Sequence, residues 1–552
     1  QVSPATERER ENSLRTITMV FTSNFPDVEI PDTTITNLIL SSCDKFGDKV
    51  AVEDGPSGRS YTFTQVKALI ISVANNLKEN HGFEKGDVMG IILPNLPEFP
   101  ILFHGVNLLG GTNTTVNVLY TDQEIATQLV DSKAKAVVSV GLFGEKVMAA
   151  CASAGVSKAF FLGEGAPEAV EGVQVLDAKT LFAPNLKAVE VDIDPAESVA
   201  VLPYSSGTTG IPKGVMLTHR NLVANLFQIL TLEPVTSDDV LIGILPFFHI
   251  YGMMVICNVA LYAGSTVVTM PRFDMEGFLN IVQAKKVTRA HLVPPIILGL
   301  TRHPIVSQFD LSSLKVILSG AAPLGEELQV AASEQLKVII KQGYGMSELS
   351  PVCHIVHEDC IKPGSIGVLA PNTLCKIVST ETGEEVGVGE SGELCIAGPQ
   401  VMKGYLGRPD ETAHCMEGEF LHTGDIGYVD DSGNYFIVDR VKELIKFKGF
   451  QVPPAELESK LLGHEAVADC AVIPSPDEEA GEVPKAYIVL KPGKEITAEE
   501  IMEYIAAMVS PHKRIRLVEF VDEIPKSASG KILRRVLVQK ERERIASASS
   551  SS

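Results

Sequence analysis

The segment 204–214 is the densest set of groups in the chain that could do chemistry, and it reads Tyr-Ser-Ser-Gly-Thr-Thr-Gly-Ile-Pro-Lys-Gly. Glycine lets a backbone approach a phosphate closely, the hydroxyls can donate to its oxygens, and Lys213 adds a positive charge. An apolar run at 199–202 precedes the segment and a helical pattern follows Thr218. We therefore predict a loop that joins a strand to a helix, which is a common place to bind an anion. It is not a Walker loop, because glycine follows Lys213 where that motif needs serine or threonine.

This spelling resembles the phosphate loop of the adenylate-forming superfamily, which includes acyl-CoA synthetases, firefly-type luciferases and the adenylation domains of peptide synthetases. The resemblance covers roughly residues 35–537, because further segments follow in the family's order. They are Gln-Gly-Tyr-Gly-Met-Ser-Glu at 342–348, the segment 418–425 that ends in Thr-Gly-Asp, the cation-rich segment 440–458, and Pro-Lys-Ser-Ala-Ser-Gly-Lys at 525–531.

The resemblance implies a role for each of these segments. Tyr344 offers a flat face for an adenine ring, and the Glu348 carboxylate suits Mg²⁺. Asp425 would accept hydrogen bonds from the ribose hydroxyls, with Arg440 as its partner on the sugar. Lys531 follows a small-residue turn, from which its side chain can reach into a cleft.

The implied site is larger than these anchors. Catalytic roles fall on Lys531, His249, Lys446 and Glu348, and Glu348 is also the metal ligand. The implied ATP and AMP contacts are Ser205, Ser206, Gly207, Thr208, Thr209, Lys213, Gln342, Gly343, Tyr344, Ser347, Asp425, Arg440, Lys442 and Gln451. The acid pocket would be formed by His249, Tyr251, Val255, Ala321, Gly343 and Ile355, and CoA would meet Arg272, Lys448 and Gly449.

The activity that the resemblance implies is ATP-dependent carboxylate–CoA ligation. An acyl-AMP and pyrophosphate form first, and the acyl-CoA thioester follows, with ATP and CoA as co-substrates and Mg²⁺ as the metal. The chain is most similar to the branch of the 4-coumarate–CoA ligases and luciferases, although Ala397 stands where plant ligases typically have arginine. Small and apolar pocket positions favour an aromatic, hydroxycinnamate-like acid or a medium-chain fatty acid.

Three alternatives share parts of this pattern. A luciferase-like monooxygenase would use the same adenylation step. An amino-acid adenylation domain needs an acidic residue for the substrate amine, and 249–255 contains none. A non-catalytic nucleotide-binding homologue would lack a key lysine or carboxylate, yet Lys213, Glu348 and Lys531 are all present.

Composition limits the partners and the location. A net charge of −22 argues against nucleic acid and means that a site for ATP and CoA must gather its own cations. Nine cysteines without a CxxC pair indicate a reduced intracellular protein without structural zinc. We expect no transmembrane segment and a monomer or weak homodimer. We expect a cytoplasmic location; a peroxisomal location is the alternative, although the given sequence does not end in the Ser-Lys-Leu signal.

The apolar pattern predicts an α/β protein with two main parts. Alternating strands and helices indicate βαβ sheets over most of the chain, and short glycine-rich alternating runs after Gly383 indicate a small β-barrel-like section. The predicted division is an N-terminal extension at 1–34, a large adenylation domain at 35–439, a small mobile α+β lid domain at 440–540, and a disordered tail at 541–552.

Overall fold

The computed structural model describes residues 19–205, 212–448, 450–477, 480–527 and 530–549. Four sheets with flanking helices make up this part of the chain. The prediction of an α/β protein with a large N-terminal region and a small C-terminal domain is confirmed. No helix within the described ranges has both the length and the apolar character to cross a membrane.

The first sheet contains the strands on both sides of the phosphate loop. Its order, from one edge to the other, is Gly404–Tyr405, Lys213–Thr218, Val199–Ser205, Thr112–Thr115, Val88–Ile92, Ala134–Val140, Lys158–Leu162 and Gln174–Asp177. The strands from Val199–Ser205 onward are parallel, and the first two are antiparallel additions. The edge strand therefore places Tyr405 beside the loop.

The phosphate loop connects two antiparallel strands, so the prediction that it joins a strand to a helix is wrong. Strand Val199–Ser205 leads in, strand Lys213–Thr218 leads out, and Lys213 pairs with Ser205. Helix His219–Leu232 starts only after that second strand, with the Thr218 hydroxyl accepting from the Asn221 N–H at 3.2 Å. Strand Lys213–Thr218 therefore separates the N-terminus of this helix from the end of the phosphate loop.

The second sheet carries two residues of the predicted acid pocket, Gly343 and Ile355. Its order is Val368–Leu369, Val352–Ile355, Ile339–Gly345, Val316–Ser319, Arg289–Leu292, Val240–Gly243, Thr266–Thr269, Val50–Asp54 and Ser60–Thr62. The strands from Ile339–Gly345 to Val50–Asp54 are parallel, as the βαβ pattern predicted. A π-helical segment, Tyr251–Asn258, continues into helix Val259–Ala263 and accounts for the long apolar run at 244–270.

The third sheet is antiparallel and carries the ribose motif. Its order is Phe21–Thr22, Leu374–Val378, Gly392–Ala397, Phe420–Val429 and Met416–Glu417, and Tyr435–Arg440 pairs with Phe420–Val429. Strands Gly392–Ala397, Phe420–Val429 and Tyr435–Arg440 of this sheet lie in the part of the chain after Gly383 where the small β-barrel-like section was predicted. Strand Phe21–Thr22 belongs to this sheet, so residues 21–22 of the predicted N-terminal extension are part of the large region.

The small domain has a sheet and a core of its own. The order is Phe450–Val452, Ile445–Phe447, Gly481–Leu490 and Val467–Asp477, with Leu517–Phe520 parallel to Gly481–Leu490. Its apolar core includes Ile445, Val472 and Ile501. Strand Tyr435–Arg440 ends where the domain boundary was predicted, and the boundary itself stays a prediction.

The helices cover the sheets and complete the fold. In the large region they are Ile35–Phe46, Phe63–His81, Glu98–Leu108, Asp122–Asp131, Gly144–Ala154, His219–Leu232, Met275–Lys285, Pro294–Arg302, Glu326–Leu336 and Pro409–Cys415. In the small domain they are Pro454–Gly463, Ala498–Ala506 and Arg534–Ser549. Helix Phe63–His81 shows why the boundaries fall where they do: Thr62 and Gln65 form a capping box, and Gly82 ends the helix with φ 64°.

The predicted disordered tail is wrong for residues 541–549, which belong to helix Arg534–Ser549. Glu541 is fully buried, accepts from the Ser475 hydroxyl at 2.8 Å and pairs with Lys485 at 2.5 Å. Composition suggested disorder because the segment has few apolar residues. A buried ion pair, which composition does not reveal, fixes the helix instead.

We predict that a chain ending at residue 540 is less stable than one ending at residue 549. Removing Glu541 leaves the buried Lys485 with Glu519 alone, and breaking a buried pair typically costs on the order of 3 kcal/mol. Chemical denaturation followed in the small domain measures the difference. Equal unfolding midpoints for the two chains would show that the tail does not contribute.

Candidate active site

The described ends of the phosphate loop meet across two strands. Ser205 closes one strand and Lys213 opens the next, directly opposite it. The predicted contacts Ser206, Gly207, Thr208 and Thr209 lie outside the described residues. The pairing of Ser205 with Lys213 thus holds the two ends of the loop side by side.

Glu348 lies at this point, within the short helical turn Ser347–Leu349, and is 4% exposed. Its Oε1 accepts from the Ser205 hydroxyl at 2.9 Å and from the Tyr405 hydroxyl at 2.8 Å. Two hydroxyl donors hold the carboxylate in place, and no ion pair joins it to a cation in the part of the chain that the structure describes. A buried carboxylate held in this way fits a hard cation such as Mg²⁺, which binds through one or two carboxylates together with substrate phosphates.

Lys213 is held by the protein itself. Its ammonium forms an ion pair with Glu411 and lies 4.9 Å from the centre of the Tyr405 ring. The lysine is 8% exposed. An anionic ligand at this lysine therefore has to compete with the Glu411 carboxylate.

The ribose motif forms a hydrogen-bonded cluster between two strands. Asp425 and Arg440 are direct cross-strand partners, and Arg440 Nε lies 2.9 Å from Asp425 Oδ1. The Tyr344 hydroxyl donates to Asp425 Oδ2 at 2.6 Å. Burial raises the pKa of Tyr344 well above its usual value, so its hydroxyl remains a donor. The structure brings these three predicted residues together.

Gln342 and Ser347 occupy different positions around this cluster. The Gln342 side chain accepts from the Leu324 N–H at 2.9 Å and donates to Gln329 at 3.1 Å. Gln342 therefore fixes the loop that follows strand Val316–Ser319. Ser347 opens the turn that holds Glu348.

Lys531 comes from the small domain and reaches the same cleft. The turn before it places Gly530 against Val293 of the large region, where an added Cβ would lie 3.3 Å from Val293 Cγ2. Burial, with the positive charge of Arg440 as the next cause, lowers the pKa of Lys531 to about 8. Asp425 also acts on this ammonium and partly offsets that shift.

His249 lies within electrostatic reach of Lys531. Burial, followed by the charge of Lys531, lowers the pKa of His249 to about 4, so the imidazole is neutral at pH 7. Its Nδ1 accepts from the Tyr251 N–H at 3.2 Å. With Nδ1 engaged as an acceptor, the neutral ring bears its proton on Nε2 and can donate from there.

The residues predicted for the acid pocket lie on or beside the second sheet and the π-helical segment. The Tyr251 ring lies on Gly320, where an added Cβ would be 2.6 Å from the ring, and its hydroxyl donates to the Leu318 carbonyl at 3.2 Å. Gly343 pairs with Ile355 on neighbouring strands. Val255 and Ile355 are fully buried, and Ala321 has φ 66° in the loop after Gly320.

Four further predicted cations have exposed side chains, unlike the half-buried Lys531. Lys442, Lys446 and Lys448 are exposed on the first strand and turns of the small domain, and Arg272 is exposed after strand Thr266–Thr269. Gly449 lies outside the described residues, and for Gln451 only the backbone, paired with Lys446, is described.

Sequence reasoning missed Tyr405, Glu411 and His291. Tyr405 and Glu411 come from an edge strand and a short helix about 190 residues after the loop that they support. His291 is fully buried, 5.9 Å from the Tyr251 ring, and neither ring nitrogen has a hydrogen-bond partner among the described residues. The only sequence signal for it was a histidine inside an apolar run.

Comparisons with known proteins agree with this geometry. The AMP-binding enzyme family matches residues 40–406, and the AMP-binding enzyme C-terminal domain matches residues 456–531. The 4-coumarate–CoA ligase of Pinus taeda is 43% identical over 538 residues, or 95% of this chain and 98% of that protein. Probable 4-coumarate–CoA ligase 1 of Dictyostelium discoideum is 42% identical over 535 residues, or 94% and 97%.

Among solved structures, an anthranilate CoA ligase in complex with anthranoyl-AMP has a TM-score of 0.87 at 27% identity, and the match covers 94% of this chain and 99% of that one. ATP-bound MatB from Rhodopseudomonas palustris has a TM-score of 0.82 at 28% identity, with 92% and 99% covered. The chain therefore belongs to the AMP-binding enzyme family, and the prediction of an AMP-forming acid–thiol ligase is confirmed.

Proposed function

We propose that this AMP-forming ligase activates an aromatic, hydroxycinnamate-like acid. The acid carboxylate attacks the α-phosphorus of ATP, pyrophosphate leaves, and an acyl-AMP remains. The CoA thiol then loses its proton and attacks the acyl carbon, and AMP leaves with the electron pair of the broken C–O bond. The first step turns a poor electrophile into one with a good leaving group.

The observation that carries the adenylation step is the convergence of Lys531 with Asp425, Arg440 and His249. These side chains come from four separate stretches of the chain and act on one another electrostatically in a single cleft. The transition state of phosphoryl transfer is strongly anionic, so positioned cations provide most of the stabilisation.

Each residue then has a defined task in this step. Lys531 stabilises the charge on the α-phosphate and the incoming carboxylate, while Asp425 and Arg440 hold the ribose and Tyr344 packs on the adenine. Lys213 with Thr208 and Thr209 of the loop binds the β- and γ-phosphates. Glu348 would hold Mg²⁺, which when bound neutralises phosphate charge.

The second step needs a different face of the small domain. Lys446 and Lys448 are exposed, and Lys446 sits on strand Ile445–Phe447 close to the predicted boundary. A turn of the domain about residue 440 would withdraw Lys531 and bring Lys442 and Lys446 toward AMP. Lys448, Gly449 and Arg272 would then line the entry of CoA.

The class of acid is supported by the relatives and by the pocket. Curated relatives at 42–43% identity carry the name 4-coumarate–CoA ligase, and the structural relative with anthranoyl-AMP is an anthranilate CoA ligase. The Tyr251 ring, packed against Gly320, would offer a flat surface to a planar ring. His291, buried and unpartnered beside Tyr251 among the described residues, provides a polar group for a ring hydroxyl, which a fatty acid lacks.

A panel of acids, scored by pyrophosphate release with and without CoA, tests this proposal. We expect 4-hydroxycinnamate to exceed cinnamate and hexanoate in kcat/KM. His291→Leu should reduce the preference for the hydroxyl by roughly tenfold, since an unmade buried hydrogen bond costs about 1–3 kcal/mol. Preference for hexanoate would contradict the aromatic class. Pyrophosphate release without any thioester product would contradict CoA ligation and favour a luciferase-like or amino-acid-adenylating reaction.

We predict that Lys531→Ala and Lys446→Ala affect opposite half-reactions. Losing the preorganised cation at Lys531 should slow adenylate formation roughly 100- to 1,000-fold, whereas thioester formation from synthetic acyl-AMP should change little. Lys446→Ala should show the reverse pattern. Single-turnover assays of each half-reaction measure both effects.

The half-buried Lys460 serves as a matched control, because Lys460→Ala removes a lysine of the same domain from helix Pro454–Gly463. The rates of both half-reactions in Lys460→Ala should equal those of the parent protein. Equal losses in both half-reactions for Lys531→Ala would contradict the assigned role.

We predict that adenylate formation loses activity as the pH rises through about 8. Burial lowers the pKa of Lys531 to about 8, so the catalytic cation is present below that pH and is lost above it. Bound ATP adds negative charge, which raises the pKa of a neighbouring lysine. The alkaline limb should therefore lie at higher pH in kcat than in kcat/KM for ATP. Lys531→Arg should lack this limb, because arginine stays charged; a limb that persists in this variant would assign it to another group.

A further inference from the structure

Three potential metal ligands meet on one face of the third sheet, outside the cleft. Glu393 and Cys395 are two residues apart on strand Gly392–Ala397, so their side chains point to the same face. His422 on strand Phe420–Val429 lies directly opposite Cys395 in the antiparallel register. Cys395 is 1% exposed, whereas the His422 and Glu393 side chains are 29% and 20% exposed, which leaves the cluster open to a small ion from one side.

The ligand atoms converge on a single point. Cys395 Sγ lies 3.4 Å and Glu393 Oε2 lies 3.0 Å from the same ring nitrogen, His422 Nδ1. A catalytic relay would instead use the two nitrogens on opposite sides of the ring. Convergence on one nitrogen is the arrangement of ligands around an ion.

The spacing also fits a metal of known size. With Zn–S about 2.3 Å and Zn–N and Zn–O about 2.0 Å, tetrahedral geometry needs roughly 3.5 Å between sulfur and nitrogen and roughly 3.3 Å between nitrogen and oxygen. The observed distances of 3.4 Å and 3.0 Å are within a few tenths of an ångström of these values. Only a small side-chain adjustment would admit the ion.

The charges around the cluster favour a cation. Glu417 lies 3.6 Å from His422 Nε2, on the outer side of the ring, and can orient the imidazole as a partner behind a ligand. Lys376 faces the same region, but its ammonium pairs with Glu385 at 2.9 Å. Together with Glu393 of the cluster itself, Glu417 and Glu385 make three carboxylates against one lysine.

We propose that Glu393, Cys395 and His422 form a binding site for a zinc-class transition-metal ion. A soft thiolate beside an imidazole selects such ions over Mg²⁺ and Ca²⁺. On binding, the Cys395 thiol releases its proton to solvent and forms the metal–sulfur bond, and His422 binds through Nδ1 with its proton on Nε2. A water molecule takes the fourth position. The prediction of no structural zinc rested on the absence of a CxxC pair, and that pattern does not detect ligands that come from two different strands.

The site is linked to the ribose motif by one shared carboxylate. Glu393 Oε1 accepts from the Gly424 N–H at 2.9 Å, and Gly424 precedes Asp425. Glu393 can use Oε2 for the ion while Oε1 keeps this bond. The metal site and the nucleotide-binding strand therefore share a residue.

Cobalt titration of the purified full-length chain, with excess Mg²⁺ present, tests the site. Co²⁺ should produce a near-ultraviolet thiolate-to-metal band at one ion per chain, and Zn²⁺ should displace it. Cys395→Ser should abolish the band, and His422→Ala should abolish saturable binding. Proton release on binding, followed with a pH indicator, should be lost in Cys395→Ser.

Two matched controls keep the result interpretable. Cys415→Ser removes a partly buried cysteine and Cys360→Ser removes an exposed one, and both variants should retain the band. Zn²⁺ should raise the thermal midpoint of the parent and leave that of His422→Ala unchanged, which separates lost binding from lost folding. A band that persists in Cys395→Ser, or no saturable binding by a parent that melts cooperatively, would overturn the proposal.

Discussion

The structure depends on bringing positive charges together in one cleft, within a protein of net charge −22. Lys531 and Arg440 repel one another, and desolvation penalises both cations. Asp425 offsets part of that cost by pairing with Arg440. The nucleotide then supplies the remaining negative charge, so binding relieves an imbalance that folding has created.

Elsewhere in the cleft, side chains of the protein itself pair with the residues that are proposed to bind the phosphates and the metal. Glu411 neutralises Lys213, and the hydroxyls of Ser205 and Tyr405 hold the Glu348 carboxylate. These contacts fix the side chains near a binding geometry before a ligand arrives, which lowers the entropic cost of binding. The Glu411 pair also sets a penalty, because a ligand must displace one carboxylate before it can use the lysine.

The sequence predicted the fold class and the parts of the site that lie within short motifs. Asp425 and Arg440 could be assigned because each lies in a recognisable segment, and the hairpin between them makes them neighbours. Tyr405 and Glu411 could not, because their edge strand reaches the loop through long-range pairing that has no local periodicity. The strand Lys213–Thr218 was missed for a related reason, since six residues that end in a helix cap show too little alternation to separate a strand from a loop.

The contacts of Arg534 bear on how the two steps are ordered. This residue stands three positions after Lys531 and pairs with both Glu443 and Glu458, which ties the lysine loop to the segment beside Lys442 and Lys446. The two groups of lysines are thereby parts of one lever. In the proposed two-step reaction one end of this lever would leave the cleft as the other enters it, and the domain would act as an interlock that keeps the thiol out until pyrophosphate has formed.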